Sequence, residues 1–289
     1  MQPPSDPTAI DAYLEMRERG VPALRHDCEK RVLWANEDRS KTPVSVVFVH
    51  GFSASSEELR PLPDLIANAL AANLHFTRLA GHGQDSAAMG RATADEWLRD
   101  TIEAIDVGRA IGNEVIVISC STGGTMVTQA LAPNAQRIKA SVFISPNYRL
   151  AHPVINTLIN APLTRQWAPV LLGKNRTFQG HSEMHEKFWT TSYPTVAVFT
   201  MADAMRACRA IRVDQIKTPA FFGYCEADTV VSAKMTQKIA LRWGGSAIEH
   251  KLVMGPDDDA MGHLVAGDVF SPSQTKPLSE AILRFIGQL

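Results

Sequence analysis

Short apolar runs alternate with helical segments along most of this chain, and the alternation restricts its fold more than any other feature. The run Val44 to His50 (VSVVFVH) is polar on neither face, and Glu114 to Ser119 and Ala140 to Ile144 follow a similar pattern. Helical segments at Thr93 to Ile111 and Thr122 to Ala132 separate these runs. Strands buried on both faces are typical of parallel sheets covered by helices. The pattern therefore predicts an α/β fold with a mostly parallel central sheet and helices on both faces.

The alternation stops in the middle of the chain. Residues 146–212 contain apolar helical segments but no buried strand pattern, and the strand pattern returns at Pro219 to Tyr224. We therefore expect an α/β core formed by residues 1–145 and 213–289, with a helical cap inserted between them. Periodicity alone leaves open the alternative that the middle segment adds further helices to the core.

Charge and hydropathy exclude several kinds of partner. The 289 residues carry a formal net charge of −1, with no block of like charges. A nucleic-acid or acidic-membrane surface requires an excess of Lys and Arg on one face, so we expect neither partner. No apolar run approaches the ~20 residues that a membrane-spanning helix needs, so we also expect no membrane span.

The cysteines and the N-terminal sequence predict a cytoplasmic location. Cys28, Cys120, Cys208 and Cys225 are widely separated and form no C-x-x-C pair. This spacing predicts neither a disulfide framework nor a zinc site built mainly from cysteines, and a reducing compartment is its simplest interpretation. The first twenty residues lack the basic stretch and apolar core of a secretory signal.

The hexapeptide Ser119 to Gly124 (SCSTGG) carries the strongest chemical signal, because it joins a buried strand to a helix. A serine at such a sharp turn is exposed for nucleophilic attack, and the turn accepts only small residues two positions before and after it. The usual pattern is G-x-S-x-G. Here Ser119 replaces the first glycine, while Gly123 keeps the second.

The register of this turn identifies the nucleophile. With Cys120 at its centre, the two crowded positions would hold Ile118 and Thr122, both of which are β-branched. With Ser119 at the centre, Val117 would occupy the first crowded position. Ser121 is the residue that fits.

A second signal, His50-Gly51-Phe52-Ser53, directly follows the first buried strand. In a fold of this kind the loop after that strand and the residue after the nucleophile each supply an N–H group for the oxyanion. We therefore predict an oxyanion hole formed by the backbone N–H groups of Phe52 and Thr122. For His50 we favour a structural role in orienting the loop over a role as catalytic base.

The acid and the base are expected later in the chain. Glu226 and Asp228 follow the strand that ends at Tyr224, and carboxylates at strand ends point into the ligand crevice of such sheets. Asp228 is favoured because it lies closer to the following helix. His263 lies in a polar loop between the last strand and the last helix, 35 residues after Asp228 and 142 residues after Ser121.

Together these residues resemble the α/β-hydrolase superfamily, and within it the esterase and monoacylglycerol-lipase-like branch that includes the serine aminopeptidase-like hydrolases. The matching segments are His50-Gly51-Phe52, Ala80-Gly81-His82-Gly83, Ser119 to Gly124, Gly223 to Asp228 and Gly262-His263. The resemblance implies that Ser121 is the nucleophile, His263 the general base and acid, and Asp228 the residue that orients His263. It implies a structural role for His82, and neither a cofactor nor a metal.

The leading hypothesis is a serine hydrolase, a carboxylesterase or lipase that cleaves a small-molecule acyl ester, with monoacylglycerol as one candidate. We expect the middle segment to wall an apolar acyl pocket with side chains that include Trp167, Phe188 and Trp189. Thioesterase, amidase or aminopeptidase, and acyltransferase activities use the same triad and stay open. Aminopeptidase action would require an acidic anchor, for which Glu183 and Glu186 are candidates. A binding protein without catalysis is the alternative from another class.

Overall fold

The computed structural model describes residues 2–134, 138–161 and 163–289. The strands of these residues are β1 (Arg31–Leu33), β2 (Thr42–Val49), β3 (Asn73–Phe76), β4 (Gly112–Cys120), β5 (Ile138–Ile144), β6 (Asn175–Thr177), β7 (Ser192–Pro194), β8 (Ala220–Cys225) and β9 (Ala247–Leu252). The α-helices are α1 (Ile10–Glu18), α2 (Leu62–Ala69), α3 (Ser86–Arg91), α4 (Ala94–Ile111), α5 (Thr122–Asn134), α6 (Pro153–Leu158), α7 (Thr164–Leu172), α8 (Glu183–Phe188), α9 (Val196–Arg209), α10 (Ala233–Leu241) and α11 (Pro272–Ile286).

Seven strands form the central sheet in the order β1-β3-β2-β4-β5-β8-β9. Strand β1 pairs antiparallel with β3, and every other pairing in this sheet is parallel. The predicted mostly parallel sheet is therefore confirmed. Because neighbouring parallel strands end on the same side, the loops after β2, β4, β5 and β8 meet at one edge of the sheet.

Helices cover both faces of the sheet, as the apolar runs predicted. Side chains of β2 alternate between the faces, with Val46 and Phe48 in the cluster that contains residues of α2 and α11. Val47 and Val49 belong to the opposite cluster, together with residues of α4, α5, α9 and α10. A strand that is buried on both sides explains why the sequence of β2 shows no polar face.

The segment between β5 and β8 differs from a purely helical insertion. It contains α6, α7 and α8, but β6 also pairs with β7 as a small antiparallel sheet, with Asn175 opposite Pro194. The sequence predicted no buried strand in this segment, and neither β6 nor β7 is buried. Each of these strands is three residues long and at most half-buried, which is too short and too polar to produce an apolar alternating pattern.

The last helix of the same segment, α9, is part of the core. Phe199, Ala202 and Met205 are buried in the cluster that also contains Val47 of the central sheet. Helix α9 contacts α4 and α5, so it forms part of the helical layer on this face.

Helix α1 packs against α4 through a small apolar cluster and through charged side chains that centre on Glu103. Glu103 of α4 accepts hydrogen bonds from Tyr13 and Arg17 of α1, and the ammonium of Lys30 contacts both Asp100 and Glu103. Over the described ranges, no helix has the length and apolar character needed to cross a bilayer.

Candidate active site

Ser121 occupies the tight turn between β4 and α5. Its φ is +48°, in the left-handed region that residues with a Cβ rarely adopt. Its N–H donates to the carbonyl of Ile144 at 3.0 Å, and its carbonyl accepts from the N–H groups of Gly124 and Asn147 at 3.0 and 2.9 Å. A Cβ on Gly123 would lie 2.2 Å from the carbonyl oxygen of Val49, which explains why this position holds glycine.

The structure brings Ser121, His263 and Asp228 into one chain of hydrogen bonds. The Oγ of Ser121 lies 3.0 Å from Nε2 of His263, and Nδ1 of His263 lies 2.8 Å from Oδ2 of Asp228. The three residues are 6%, 8% and 8% exposed, respectively, so each bond is shielded from bulk water. The order Ser–His–Asp with these distances can move a proton from the serine hydroxyl to the imidazole.

The backbone that follows Asp228 fixes its other carboxylate oxygen. Oδ1 accepts the N–H groups of Val230 and Val231 at 2.7 and 2.9 Å, which leaves Oδ2 for His263. This loop is tied in turn to the start of the segment after β5. The N–H of Ala151 donates to the carbonyl of Val230 at 3.0 Å, and Leu150 forms an antiparallel bridge with Val231.

The other acidic residues that the sequence offered have different partners. Glu226 is exposed and contacts Lys251 at 2.8 Å. Asp259 accepts the backbone N–H groups of His263 and Leu264 at 2.9 and 2.8 Å, so it shapes the loop that carries the histidine. Sequence reasoning did not identify this role, because no pattern distinguishes Asp259 from its acidic neighbours.

The electrostatic surroundings favour a protonated imidazole at His263. Burial by itself lowers the pKa of His263, but the Asp228 carboxylate outweighs it through charge and hydrogen bonding, with smaller contributions from Glu58 and Asp259. The net effect raises the pKa of His263 above its usual 6.5. A base with this property can accept the serine proton near neutral pH and return it to a leaving group.

The two residues predicted to supply oxyanion donors both lie beside Ser121. Thr122 is the first residue of α5, where an N–H has no acceptor within the helix. Phe52 follows β2 and lines the same cavity as Ser121 and His263. Their role as the donors of an oxyanion hole stays a prediction.

His50 and His82 are buried beside this loop rather than in the hydrogen-bond chain. Nε2 of His50 accepts the N–H of Leu79 at 3.1 Å, and its Nδ1–H therefore donates to the carbonyl of Gly51 at 2.9 Å. Burial lowers the pKa of His50 to about 4. The ring of His82 lies 6.1 Å from that of Phe52.

A cavity of about 720 Å³ opens above Ser121 and His263. One wall is aromatic and is formed by Phe52, Phe178, His185, Trp189, Tyr193 and Phe270, each within 6.4 Å, between ring centroids, of another ring in the group. Aliphatic side chains form much of the remaining surface and include Leu150, Ile155, Leu158, Ile159, Val198 and Met201. The size is typical of a pocket for a small molecule.

Two of the three predicted aromatic wall residues line this cavity. Trp167 and Trp189 do so, but Phe188 is absent from the lining and is buried in the cluster that contains α2 and α11. Phe188 is the last residue of α8, and the adjacent Trp189 belongs to the same cluster but also reaches the cavity.

The thiol next to Ser121 is poorly suited to act as a nucleophile. Cys120 is fully buried, and burial holds the pKa of its thiol well above the usual range, so the nucleophilic thiolate is disfavoured. Across the residues with described positions, no group of three or more His, Cys, Asp or Glu side chains is placed to hold a metal ion.

Comparison with known proteins identifies the family. The sequence model of the alpha/beta hydrolase family matches residues 46–268, which include Phe52, Ser121, Asp228 and His263. The chain belongs to this family. Its central sheet and flanking helices are accordingly those of an alpha/beta hydrolase.

Individual alpha/beta hydrolases resemble the chain to different extents. A thermostable monoacylglycerol lipase of Bacillus sp. (strain H-257) is 32% identical over 84 residues, which are 29% of this chain and 33% of that protein's length. One solved structure comes from a study of LipS and LipT, two metagenome-derived lipolytic enzymes. It aligns to this chain with a TM-score of 0.73 and 19% sequence identity, and the alignment covers 92% of this chain and 100% of that one. The monoacylglycerol lipase of Paleococcus ferrophilus has a TM-score of 0.61 at 13% identity, with 90% and 98% covered.

Proposed function

We propose that this protein is a serine hydrolase that cleaves carboxylic esters through an acyl-enzyme. The observation that carries the proposal is the hydrogen-bond chain from Ser121 through His263 to Asp228 at the floor of a largely apolar cavity. Membership of the alpha/beta hydrolase family and the resemblance to lipases agree with it.

In this mechanism His263 takes the proton of Ser121 as Oγ attacks the ester carbonyl. Asp228 keeps the proton of the imidazole on Nδ1 and stabilises the imidazolium without taking the proton itself. The N–H groups of Phe52 and Thr122 stabilise the oxyanion of the tetrahedral intermediate. His263 then donates its new proton to the leaving alcohol, and water releases the acid by the same steps in reverse.

The cavity supports an ester with a substantial apolar part. Leu150, Ile155, Leu158 and Ile159 of its aliphatic lining belong to residues 146–195, which we propose as the cap, with α9 assigned to the core. This cap would hold an acyl chain and exclude water from the acyl-enzyme. A monoacylglycerol fits such a site, as do other esters of medium acyl chains.

The competing activities have less support. An aminopeptidase needs a carboxylate near the substrate amine, and the candidate anchors Glu183 and Glu186 are exposed and do not line the cavity. Thioesters and acyl transfer would use the same three residues, so they are distinguished by assay. A binding protein would not need the hydrogen-bonded arrangement of Ser121, His263 and Asp228. A cytoplasmic location stays a prediction from the cysteine pattern.

The test compares Ser121→Ala with Cys120→Ala on p-nitrophenyl esters of graded chain length. We expect Ser121→Ala to lower kcat by a factor on the order of 10⁴ or more, because removal of a nucleophile leaves only binding and oxyanion stabilisation. Cys120→Ala should keep most of the activity. A fluorophosphonate probe should label the wild type and Cys120→Ala but not Ser121→Ala. An active Ser121→Ala protein beside an inactive, folded Cys120→Ala protein would refute the assignment.

A further inference from the structure

A buried carboxyl group lies beside the candidate active site and takes no part in the mechanism above. Glu58 ends a short helical turn after β2 and is 2% exposed. Its Oε2 accepts the N–H of Gly51 at 2.6 Å, and its carboxyl interacts with the thiol of Cys120. No Lys or Arg side chain pairs with Glu58 among the ion pairs of the described residues.

The hydrogen bond from the Gly51 N–H to Glu58 acts on the loop that carries Phe52. Gly51 is held on both sides, its N–H by Glu58 and its carbonyl by His50. The carbonyl of Gly51 and the N–H of Phe52 belong to one planar peptide group and point in opposite directions. Fixing Gly51 at both ends therefore fixes the direction of the Phe52 N–H.

The Glu58 carboxyl also lies close to the other side of the candidate oxyanion hole. Cys120 is the last residue of β4 and directly precedes Ser121 and Thr122. The space between the two sides is small, since a Cβ on Gly51 would lie 2.5 Å from Oε1 of Glu58 and 3.0 Å from Cβ of Ser121. The Glu58 carboxyl thus bonds to the loop of the first donor and lies close to the turn of the second.

We propose that Glu58 is a positioning residue that holds the two N–H donors of the oxyanion hole in register and that, when ionised, stabilises the imidazolium of His263. This inference rests on the proposed ester hydrolysis at Ser121. Displacing a donor by about 1 Å is enough to cost about 10²-fold in rate.

The electrostatics of the site agree with the second part of this role. Glu58 and His263 line the same cavity, and the ionisable side chains that interact with the Glu58 carboxyl are His263 of the loop after β9 and Cys120 of β4. Burial raises the pKa of Glu58 to about 7, even though the Gly51 N–H, His263 and Cys120 each favour its charged form. Glu58 therefore changes its charge in the pH range where hydrolysis is measured. Its carboxylate is also one of the charges that raise the pKa of His263.

Glu58→Gln and Glu58→Ala separate the two effects, with Glu57→Gln as the matched control. Glu57 is the adjacent residue and pairs with Arg60 at 2.7 Å, away from Gly51. The amide oxygen that Glu58→Gln introduces can still accept the Gly51 N–H, so kcat of this variant should stay within about fivefold of wild type. In the pH profile of kcat/KM for Glu58→Gln, the acid limb should move to lower pH by about half a unit or more, because the His263 imidazolium loses a nearby negative charge.

Glu58→Ala leaves the Gly51 N–H without an acceptor, and we expect kcat to fall about 10²-fold with little change in KM. Circular dichroism and thermal unfolding establish that each variant is folded. If Glu58→Ala is unfolded, the acid limb of Glu58→Gln decides. An unmoved acid limb in Glu58→Gln, or a folded Glu58→Ala protein with kcat within about threefold of wild type, overturns the proposal.

An NMR titration of the His263 imidazole provides the same comparison without a substrate. The pKa of His263 should be lower in Glu58→Gln than in wild type and unchanged in Glu57→Gln. If the wild type does not hydrolyse esters, the proposed function is rejected. If the pKa of His263 is the same in wild type, Glu58→Gln and Glu57→Gln, the role of Glu58 is rejected.

Discussion

Ser121 combines an unfavourable backbone conformation with several backbone hydrogen bonds. A left-handed φ costs a residue with a side chain about 1–3 kcal/mol, and it persists only when the surroundings enforce it. The bonds to Ile144, Gly124 and Asn147 supply that enforcement, because each joins the turn to a neighbouring part of the core. The hydroxyl is thereby presented to His263 before any substrate arrives.

Asp228 has a single free acceptor, and this makes its substitution informative. Asp228→Asn preserves the size of the side chain but offers an N–H where Nδ1–H of His263 needs an acceptor, so it favours the wrong tautomer. We expect kcat to fall by about 10⁴, measured on the best p-nitrophenyl ester, by analogy with serine proteases. Glu226→Gln is the control and should stay near wild type, since Glu226 pairs with Lys251 at the surface. A loss below about tenfold for Asp228→Asn would assign the orienting role elsewhere.

At the scale of elements, the short helices of the proposed cap supply much of the aliphatic surface of the cavity. Ile155 and Leu158 both lie on α6 and line the cavity, although each is about half exposed. Apolar side chains that are left exposed around a pocket are expected to be covered by an apolar ligand.

Chain-length selectivity tests this role of α6. Each buried CH₂ contributes about 0.8 kcal/mol, so kcat/KM should rise about fourfold per methylene until the pocket is full. Leu158→Trp should reduce the space and move the optimum to shorter acyl chains. Val154→Trp changes a more exposed residue of the same helix outside the cavity lining and should keep the wild-type profile. The same optimum in all three proteins would show that the acyl chain binds elsewhere.

The extent to which the sequence predicts this molecule depends on how local each determinant is. Ser121 and Asp228 follow strands whose apolar runs are visible in the sequence, and His263 lies in the polar loop between the last strand and the last helix, so their convergence could be inferred from the sheet. Glu58 lies next to Glu57, and only the packing of the turn against Gly51 decides which of the two is buried. Helix α9 has an amphipathic pattern that suits a cap or a core layer equally, and its packing on α4 and α5 could not be inferred.

At the scale of the whole molecule, buried charges attach the N-terminal region to the core. Glu103 contacts Lys30, Arg17 and Tyr13, which come from two different parts of the first 30 residues. Burial alone would raise the pKa of Glu103. The positive charge of Lys30 and the hydrogen bonds that Lys30, Tyr13 and Arg17 donate to the carboxylate lower this pKa to about 2. The carboxylate therefore stabilises the folded state above its ordinary pKa of 4.5, and this contribution is lost as pH falls toward 2.

Glu103→Gln should lower the free energy of unfolding by about 3 kcal/mol at pH 7, because the buried ammonium of Lys30 loses one of its two carboxylates. Urea denaturation measures this change. The decline in stability between pH 4.5 and 2 should also become shallower than in wild type. Glu15→Gln breaks an exposed pair with Arg19 and should change stability by less than about 1 kcal/mol. A Glu103→Gln effect equally small would mean that the buried network does not stabilise the fold.

The bridge between Leu150 and Val231 ties the start of the proposed cap to the loop that carries Asp228. The same loop supplies the two N–H groups that hold Asp228, and the N–H of Ala151 bonds to the carbonyl of Val230. A swing of the cap about its first residues would pull the acid out of line with His263. Any opening of the proposed cap that keeps Ser121, His263 and Asp228 assembled would therefore pivot after Ala151.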